Sequence, residues 1–199
     1  MTNTAIGRHS FITVEGLSGS GKTTVSTQLA RQLHGRYYKT PPELFTPIRE
    51  AIDRNASAFA RHLYYYAGVA QASAEIEPLL QYCPVVCDKY LATMLAYSRA
   101  QGLLVETPPI DLVVRPDFAF LLDASDALRR QRVERRGRIT QIHDAFLRME
   151  IDSGVMTQFR KLDLPTIDNN GEGVTAAVQS ITSWMKTHGS RLCGRDELA

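Results

Sequence analysis

The stretch that most constrains this chain runs from residue 10 to residue 30, SFITVEGLSGSGKTTVSTQLA. The apolar, β-branched run from Phe11 to Val14 reads as a buried strand. Gly16 to Gly21 reads as a loop, and a helix begins near Lys22 with Val25, Leu29 and Leu33 on one face. The loop fits the phosphate-binding pattern G-x-x-x-x-G-K-[ST] in full, with Gly16, Gly21, Lys22 and Thr23 at its fixed positions. Glycines let successive backbone N–H groups turn toward one anion, and the new helix adds the positive end of its dipole. From these positions Lys22 can reach the β- and γ-phosphates and the Thr23 hydroxyl can hold Mg²⁺. A Gly/Ser-rich turn before any helix could satisfy the bare pattern. The flanking strand and amphipathic helix favour a nucleoside triphosphate site built from Gly16, Leu17, Ser18, Gly19, Ser20, Gly21, Lys22, Thr23 and Thr24.

At 199 residues with 44% hydrophobic content, the chain can bury one substantial core, so one domain over 1–199 is expected, with tails at 1–9 and 189–199. Twenty-three basic against 21 acidic residues give a net charge of +2, too little to argue for a nucleic-acid or membrane partner. Cys83 and Cys87 fall in an apolar run read as a strand; four residues apart they share a face but are too distant to bridge. They are expected as core thiols in a reducing compartment. No second Cys pair or H-x-x-x-H accompanies them, which argues against a Cys/His metal site. The polar start MTNTAIGRHS and the lack of a membrane-length apolar run predict a cytoplasmic protein.

Further along, Arg36 to Thr40 reads as a strand stopped by Pro41 and Pro42, and helices are predicted over Glu43–Arg54 and Ser57–Leu80. The second carries Phe59, Leu63, Tyr66, Ala70, Ile76 and Leu80 at helical spacing. A strand over Pro84–Cys87 ends at Asp88, and a helix follows over Leu91–Leu103. A strand over Phe118–Leu122 leads into a basic helix, Ser125–Arg136. A helix from about Ile142 to Leu162, a strand over Pro165–Ile167 and a helix over Val174–Met185 complete the chain. Strands alternating with helices predict an α/β fold: a five-stranded parallel sheet with helices on both faces and ligands at the carboxyl ends of the strands.

Three constellations carry chemistry. Asp88, at a strand's carboxyl end, can hold Mg²⁺ or orient the attacking oxygen, and can equally be a helix N-cap. Arg129, Arg132 and Arg136 share one face of the basic helix. That face is either solvated or part of a Gly-hinged flap closing on the triphosphate, and the phosphate loop favours the flap. Of Tyr64, Tyr65 and Tyr66, at most one or two can enter a pocket, and a flat aromatic platform would suit a base.

In this order, the pieces resemble thymidylate kinases and the related deoxynucleoside kinases. VEGLSGSGKTT resembles their phosphate loop, VVCDKYLATMLAYSRAQG their strand ending in an Asp-Arg-aromatic motif, RPDFAFLLD with ALRRQRVERRG their fourth strand and lid helix, and DLPTID the loop beside the donor adenine. The resemblance implies a P-loop kinase fold with a small basic lid at about 132–144, ATP and Mg²⁺ as cofactors, and a homodimer packed through the long helices. It assigns Lys22, Thr23 and the loop amides to ATP and Mg²⁺, Asp88 to the metal or acceptor oxygen, and Arg132 and Arg136 to the lid. The family's lid Asp-Arg pair falls on Thr140 and Gln141, and Arg138 lies close enough to be a candidate substitute. Glu15 matches a general base of the nucleoside kinases, or else a buried acid that anchors the loop. Lys89, Tyr66 and Tyr97 are assigned to the acceptor.

The acceptor half departs from the family. Ser18 replaces an Asp that meets the sugar hydroxyl, and Thr40-Pro41-Pro42 replaces an Arg-Glu-Pro stretch. Val69 stands near an arginine position, Lys89 exchanges a bidentate fork for a point charge, and Met94 replaces a base-facing polar residue. The expected function is transfer of the γ-phosphate of Mg·ATP to a nucleotide-type acceptor. Alternatives are phosphorylation of a nucleoside or metabolite hydroxyl, and an ATP-binding regulatory module without acceptor turnover.

Overall fold

The computed structural model describes residues 8–108, 112–135, 154–171 and 173–189. Strands β1 (Phe11–Glu15), β2 (Arg36–Lys39), β3 (Val85–Asp88), β4 (Phe118–Asp123) and β5 (Thr166–Asp168) form one parallel sheet in the order β2-β3-β1-β4-β5. Among the described residues the α-helices are α1 (Lys22–Gln32), α2 (Thr46–Asn55), α3 (Ala58–Leu79), α4 (Leu91–Ala100), α5 (Asp126–Arg135), α6 (Val155–Lys161) and α7 (Gly173–His188).

Side-chain alternation along the strands makes two cores. Phe11, Val85, Cys87, Ala119 and Leu121 pack with α3, α4 and α6. Ile12, Val14, Val86, Phe118, Phe120 and Leu122 pack with α1 and α7 on the other face. Helices on both faces and a parallel sheet are as the sequence predicts.

Four local expectations are corrected. The buried stripe of α3 is Tyr64, Gly68, Val69, Ala72, Ser73 and Ile76, leaving Phe59 and Leu63 about half exposed. Small residues win because the chain passes close: a Cβ on Gly68 would stand 3.1 Å from Pro41 Cβ. Helix α4 stops at Ala100 rather than Leu103, its end capped by the N–H groups of Gln101, Gly102 and Leu103. Of the helix predicted over 142–162, residues 142–153 lie outside the described residues, and α6 begins only after Gly154, whose φ is +69°. Cys83 lies in the turn before β3 and only Cys87 is a buried strand thiol; both are free. Among the described residues, no helix is long and apolar enough to cross a membrane.

Candidate active site

Strand parity decides what the two acidic strand-end residues do. Val14 pairs with Asp88, so Glu15 and Asp88 stand at neighbouring carboxyl ends of the sheet. Asp88 follows Val86 in phase and faces α1; Glu15 follows Phe11 and Thr13 and faces α4.

On the α1 side, the Thr23 hydroxyl donates to Asp88 Oδ2 at 2.6 Å, and the Tyr37 hydroxyl donates to the same oxygen at 3.3 Å. Burial, reinforced by the Asp88 charge, pushes the Tyr37 hydroxyl up, so Tyr37 stays a donor. The other oxygen, Asp88 Oδ1, is buried with no hydrogen-bond partner. A carboxylate oxygen left unpartnered beside a helix-initiating hydroxyl is a hard donor set, and it fits Mg²⁺. Among the described residues no cluster of three or more His, Cys, Asp or Glu side chains could cage a metal. Mg²⁺ does not need one, because it keeps several waters and takes substrate phosphate oxygens.

Lys22 is 5% exposed, and its Nζ folds over the loop to donate to Leu17 O at 2.5 Å and Ser20 Oγ at 3.4 Å. Ser18, Gly19, Gly21, Lys22 and Thr23 all line one cleft of about 530 Å³. The loop thus combines a cation with backbone donors at the start of α1, the arrangement a polyphosphate requires.

On the α4 side, Glu15 is fully buried. Its Oε2 accepts from Tyr90 N and Thr93 N, each at 3.1 Å, and from Thr93 Oγ1 at 2.6 Å. These N–H groups open α4, whose preceding residue Tyr90 supplies no side-chain cap, so β1 provides the cap instead. Burial raises the Glu15 carboxyl above its ordinary value, against the lowering effect of those donors.

The far end of the cleft is lined by side chains from α2, α3 and α4. Lys39 and Lys89 stand near the strand ends, Tyr65, Val69, Met94 and Tyr97 form apolar and aromatic walls, and polar groups close the end. There the Tyr65 hydroxyl donates to Asp53 Oδ1 at 2.7 Å, Arg49 pairs with Asp53 at 3.5 Å, and Arg61 Nη1 donates to Gln101 Oε1 at 2.7 Å. His62 Nδ1 lies 2.9 Å from Ser98 Oγ, and partial burial lowers the imidazole below its usual range.

Of the sequence-predicted residues, Ser18, Gly19, Gly21, Lys22, Thr23, Asp88, Lys89 and Tyr97 line this one cleft. Tyr66 does not: it stacks on His62 at 6.2 Å against the core, and Tyr65, one position earlier, takes the place on the cleft wall. Adjacent helical residues diverge by about 100°, so an error of one position moves a ring from pocket to core. Arg132 reaches the loop's outer carbonyls, Gly19 O at 3.5 Å and Ser20 O at 3.2 Å. Arg136, Arg138 and most of the predicted lid lie outside the described residues. Sequence reasoning weighed Tyr65 only as one of three tyrosines and did not single out Arg49, Arg61 or Asn169; Asn169 immediately follows the DLPTID stretch and donates to Ser20 O at 2.7 Å.

The family model for thymidylate kinase matches residues 14–181. A probable thymidylate kinase of Pyrobaculum calidifontis is 30% identical over 169 residues, 79% of this chain and 86% of that protein. The thymidylate kinase of Tropheryma whipplei is 29% identical over 164 residues, 72% of this chain and 82% of its own length. Among solved structures, the Candida albicans thymidylate kinase superposes with a TM-score of 0.69 at 19% identity, covering 92% of this chain and 93% of that one. A deoxyadenosine kinase of M. mycoides with bound dATP gives 0.64 at 15%, covering 88% and 99%. A phosphate loop opening onto the cleft of a five-stranded parallel sheet thus meets a family match across most of the chain, and the chain belongs to the thymidylate kinase family of P-loop nucleotide kinases.

Proposed function

We propose that the protein transfers the γ-phosphoryl group of ATP to a nucleoside monophosphate or related nucleotide, in an acceptor site changed from the family's. The observation that carries this reading is the continuity of the cleft. The phosphate loop, Lys22, Thr23, Asp88, Lys89, Tyr65 and Tyr97 all line one cavity. Positions that depart from the family (Ser18, Val69, Lys89 and Met94) line the same cleft, which supports a changed acceptor site.

In this reading the backbone donors of Gly16–Thr24 and the Lys22 ammonium hold the donor phosphates, and Thr23 with the unpartnered oxygen of Asp88 would hold Mg²⁺. When bound, the ion neutralises charge on the β- and γ-oxygens. Arg132 braces the loop, while Arg136 and Arg138 are assigned to the lid that closes over the triphosphate. Lys89 offers a point charge to the acceptor's phosphate, and Tyr65 and Tyr97 hold its base and sugar.

The acceptor class bears on Glu15. A phosphate monoester has a second pKa of about 6, so its oxygen attacks near neutrality without losing a proton. A hydroxyl acceptor needs a base. With Glu15 occupied as the α4 cap, a phosphate acceptor requires nothing further from the chain. The second reading, a nucleoside or metabolite hydroxyl, is favoured by the apolar Val69 and Met94 wall, 3% and 5% exposed, where the family reads a phosphate and base with polar groups.

The deciding experiment is ADP release from Mg·ATP by the purified protein against nucleoside monophosphates, their nucleosides and no acceptor. Stimulation by a monophosphate and not by its nucleoside is the expected outcome. Stimulation by nucleosides alone installs the second reading, and ATP binding with no stimulation by any compound defeats both.

A further inference from the structure

Arg129 is 1% exposed and is the largest fully buried side chain among the described residues. A guanidinium stays charged at every relevant pH, and burying one is costly unless it is paired and hydrogen-bonded. A leucine would fill such a position on α5 more cheaply, so the partners of Arg129 explain its presence.

Its Nη1 donates to Asp126 Oδ1 at 2.7 Å, one turn earlier on α5, and that carboxylate reaches solvent. Its Nε donates to the carbonyl of Ser18 at 2.9 Å, within the phosphate loop. The backbones also touch: a Cβ built on Gly19 would lie 2.5 Å from the Arg129 carbonyl oxygen. One turn further along α5, Arg132 donates to the carbonyls of Gly19 and Ser20 and, through Nη2, to Asn169 O at 2.9 Å. Asn169, 4% exposed, donates to Ser20 O from the end of β5.

Three consecutive loop carbonyls are therefore gripped from behind. In a planar trans peptide the carbonyl and the following N–H point in opposite directions. Holding the Ser18 and Ser20 carbonyls outward turns the N–H groups of Gly19 and Gly21 toward the cleft that both residues line. A flexible glycine loop would otherwise have to order itself when the anion arrives, at a cost in affinity.

We infer that Arg129 is a positioning residue for phosphoryl transfer: through the Ser18 carbonyl it pre-forms the phosphate cradle, with Arg132 and Asn169 completing the brace. The inference rests on the reading of this loop as the triphosphate site.

The test is calorimetric binding of inorganic tripolyphosphate, ADP and adenosine to the full chain, comparing wild type with Arg129→Lys and Arg129→Ala. Loss of a hydrogen bond from a charged donor predicts that Arg129→Ala weakens tripolyphosphate and ADP by about tenfold or more. Arg129→Lys, which regains one donor, should fall between, and adenosine should bind within about twofold of wild type. In turnover, KM for ATP rises while KM for the acceptor holds. Arg129→Lys keeps the charge and its Asp126 partner, so it decides the matter if the alanine variant does not fold. Tripolyphosphate binding by Arg129→Lys equal to wild type overturns the inference. So does a loss of adenosine binding as large as the loss of tripolyphosphate. Wild type that binds ADP and adenosine equally well and ignores tripolyphosphate overturns the loop reading itself, and the inference with it.

Discussion

The two ends of the cleft are built from different materials. At the end proposed for the donor the lining groups are loop backbone and two side chains adjacent in sequence, Lys22 and Thr23, and Arg129 and Asn169 hold the loop's carbonyls. At the end proposed for the acceptor the lining groups are side chains from α2, α3 and α4, held by pairs such as Tyr65–Asp53 and Arg61–Gln101. A backbone site cannot be altered by substitution without losing its shape. A side-chain site can be altered one residue at a time. Of the departures from the family, Val69, Lys89 and Met94 are among the side chains lining the cleft, whereas Ser18 lies in the loop and contributes its carbonyl to the brace whatever its side chain.

The donor end should break hardest. Lys22→Ala removes the cation aimed at the phosphates, and turnover should fall about a thousandfold with the circular dichroism spectrum unchanged. An active Lys22→Ala protein would end the kinase reading. Asp88→Asn keeps an acceptor for the Thr23 hydroxyl but removes the charge. A loss of about a hundredfold in kcat is expected, together with a raised Mg²⁺ requirement in titration. An unchanged Mg²⁺ dependence would move the metal elsewhere.

The acceptor end should respond more gently and selectively. Tyr65→Ala should raise KM for the acceptor about tenfold and leave KM for ATP alone, as expected for loss of a stacking platform. Tyr66→Ala should lower the melting temperature and leave both KM values in place. Reversal of that pattern would return the aromatic platform to Tyr66.

The smallest effect separates the two carboxylates. Glu15→Gln retains an oxygen to accept from Tyr90 and Thr93, so turnover should stay within about threefold of wild type. The folded protein holds the Glu15 proton more tightly than the unfolded chain, whose carboxyl titrates near 4.5. Stability therefore falls as pH rises above 4.5, and the penalty is complete once pH passes the raised folded value. Denaturant melts should show Glu15→Gln at least as stable as wild type at neutral pH, with the advantage gone below 4.5. A collapse of turnover in Glu15→Gln would instead make Glu15 the base and favour a hydroxyl acceptor.

How much of this was legible follows the same division. The phosphate loop is contiguous, its pattern is tied to backbone geometry, and every strand was found to within a residue or two. The opposite facing of Glu15 and Asp88 was also legible, since alternation along Phe11–Glu15 and Val85–Asp88 fixes it once the strands are aligned. The phase of α3 was not. Apolar spacing favours Phe59 and Leu63 for the core, but close passage of Pro41 selects Gly68 and Ala72, and nothing local in the sequence encodes that neighbour. The same phase error put Tyr66 in place of Tyr65. The Arg129 brace was invisible for a related reason: the basic face reads as a flap over the triphosphate until the Arg129 partner across 111 residues, the Ser18 carbonyl, is known.

Lys89 has a consequence for how such a site changes over time. Its φ is +69°, its N–H donates to Val14 O, and its carbonyl accepts from the Thr40 hydroxyl at 3.0 Å and the Cys87 thiol at 3.0 Å. All of these bonds are made by the backbone of residue 89, and the left-handed conformation penalises lysine and arginine alike. Exchange between the two is therefore neutral for the main chain. This junction is an evolutionary dial: the charge geometry that residue 89 presents to the cleft can be reset in either direction by a single codon change while the scaffold carries no memory of the previous setting.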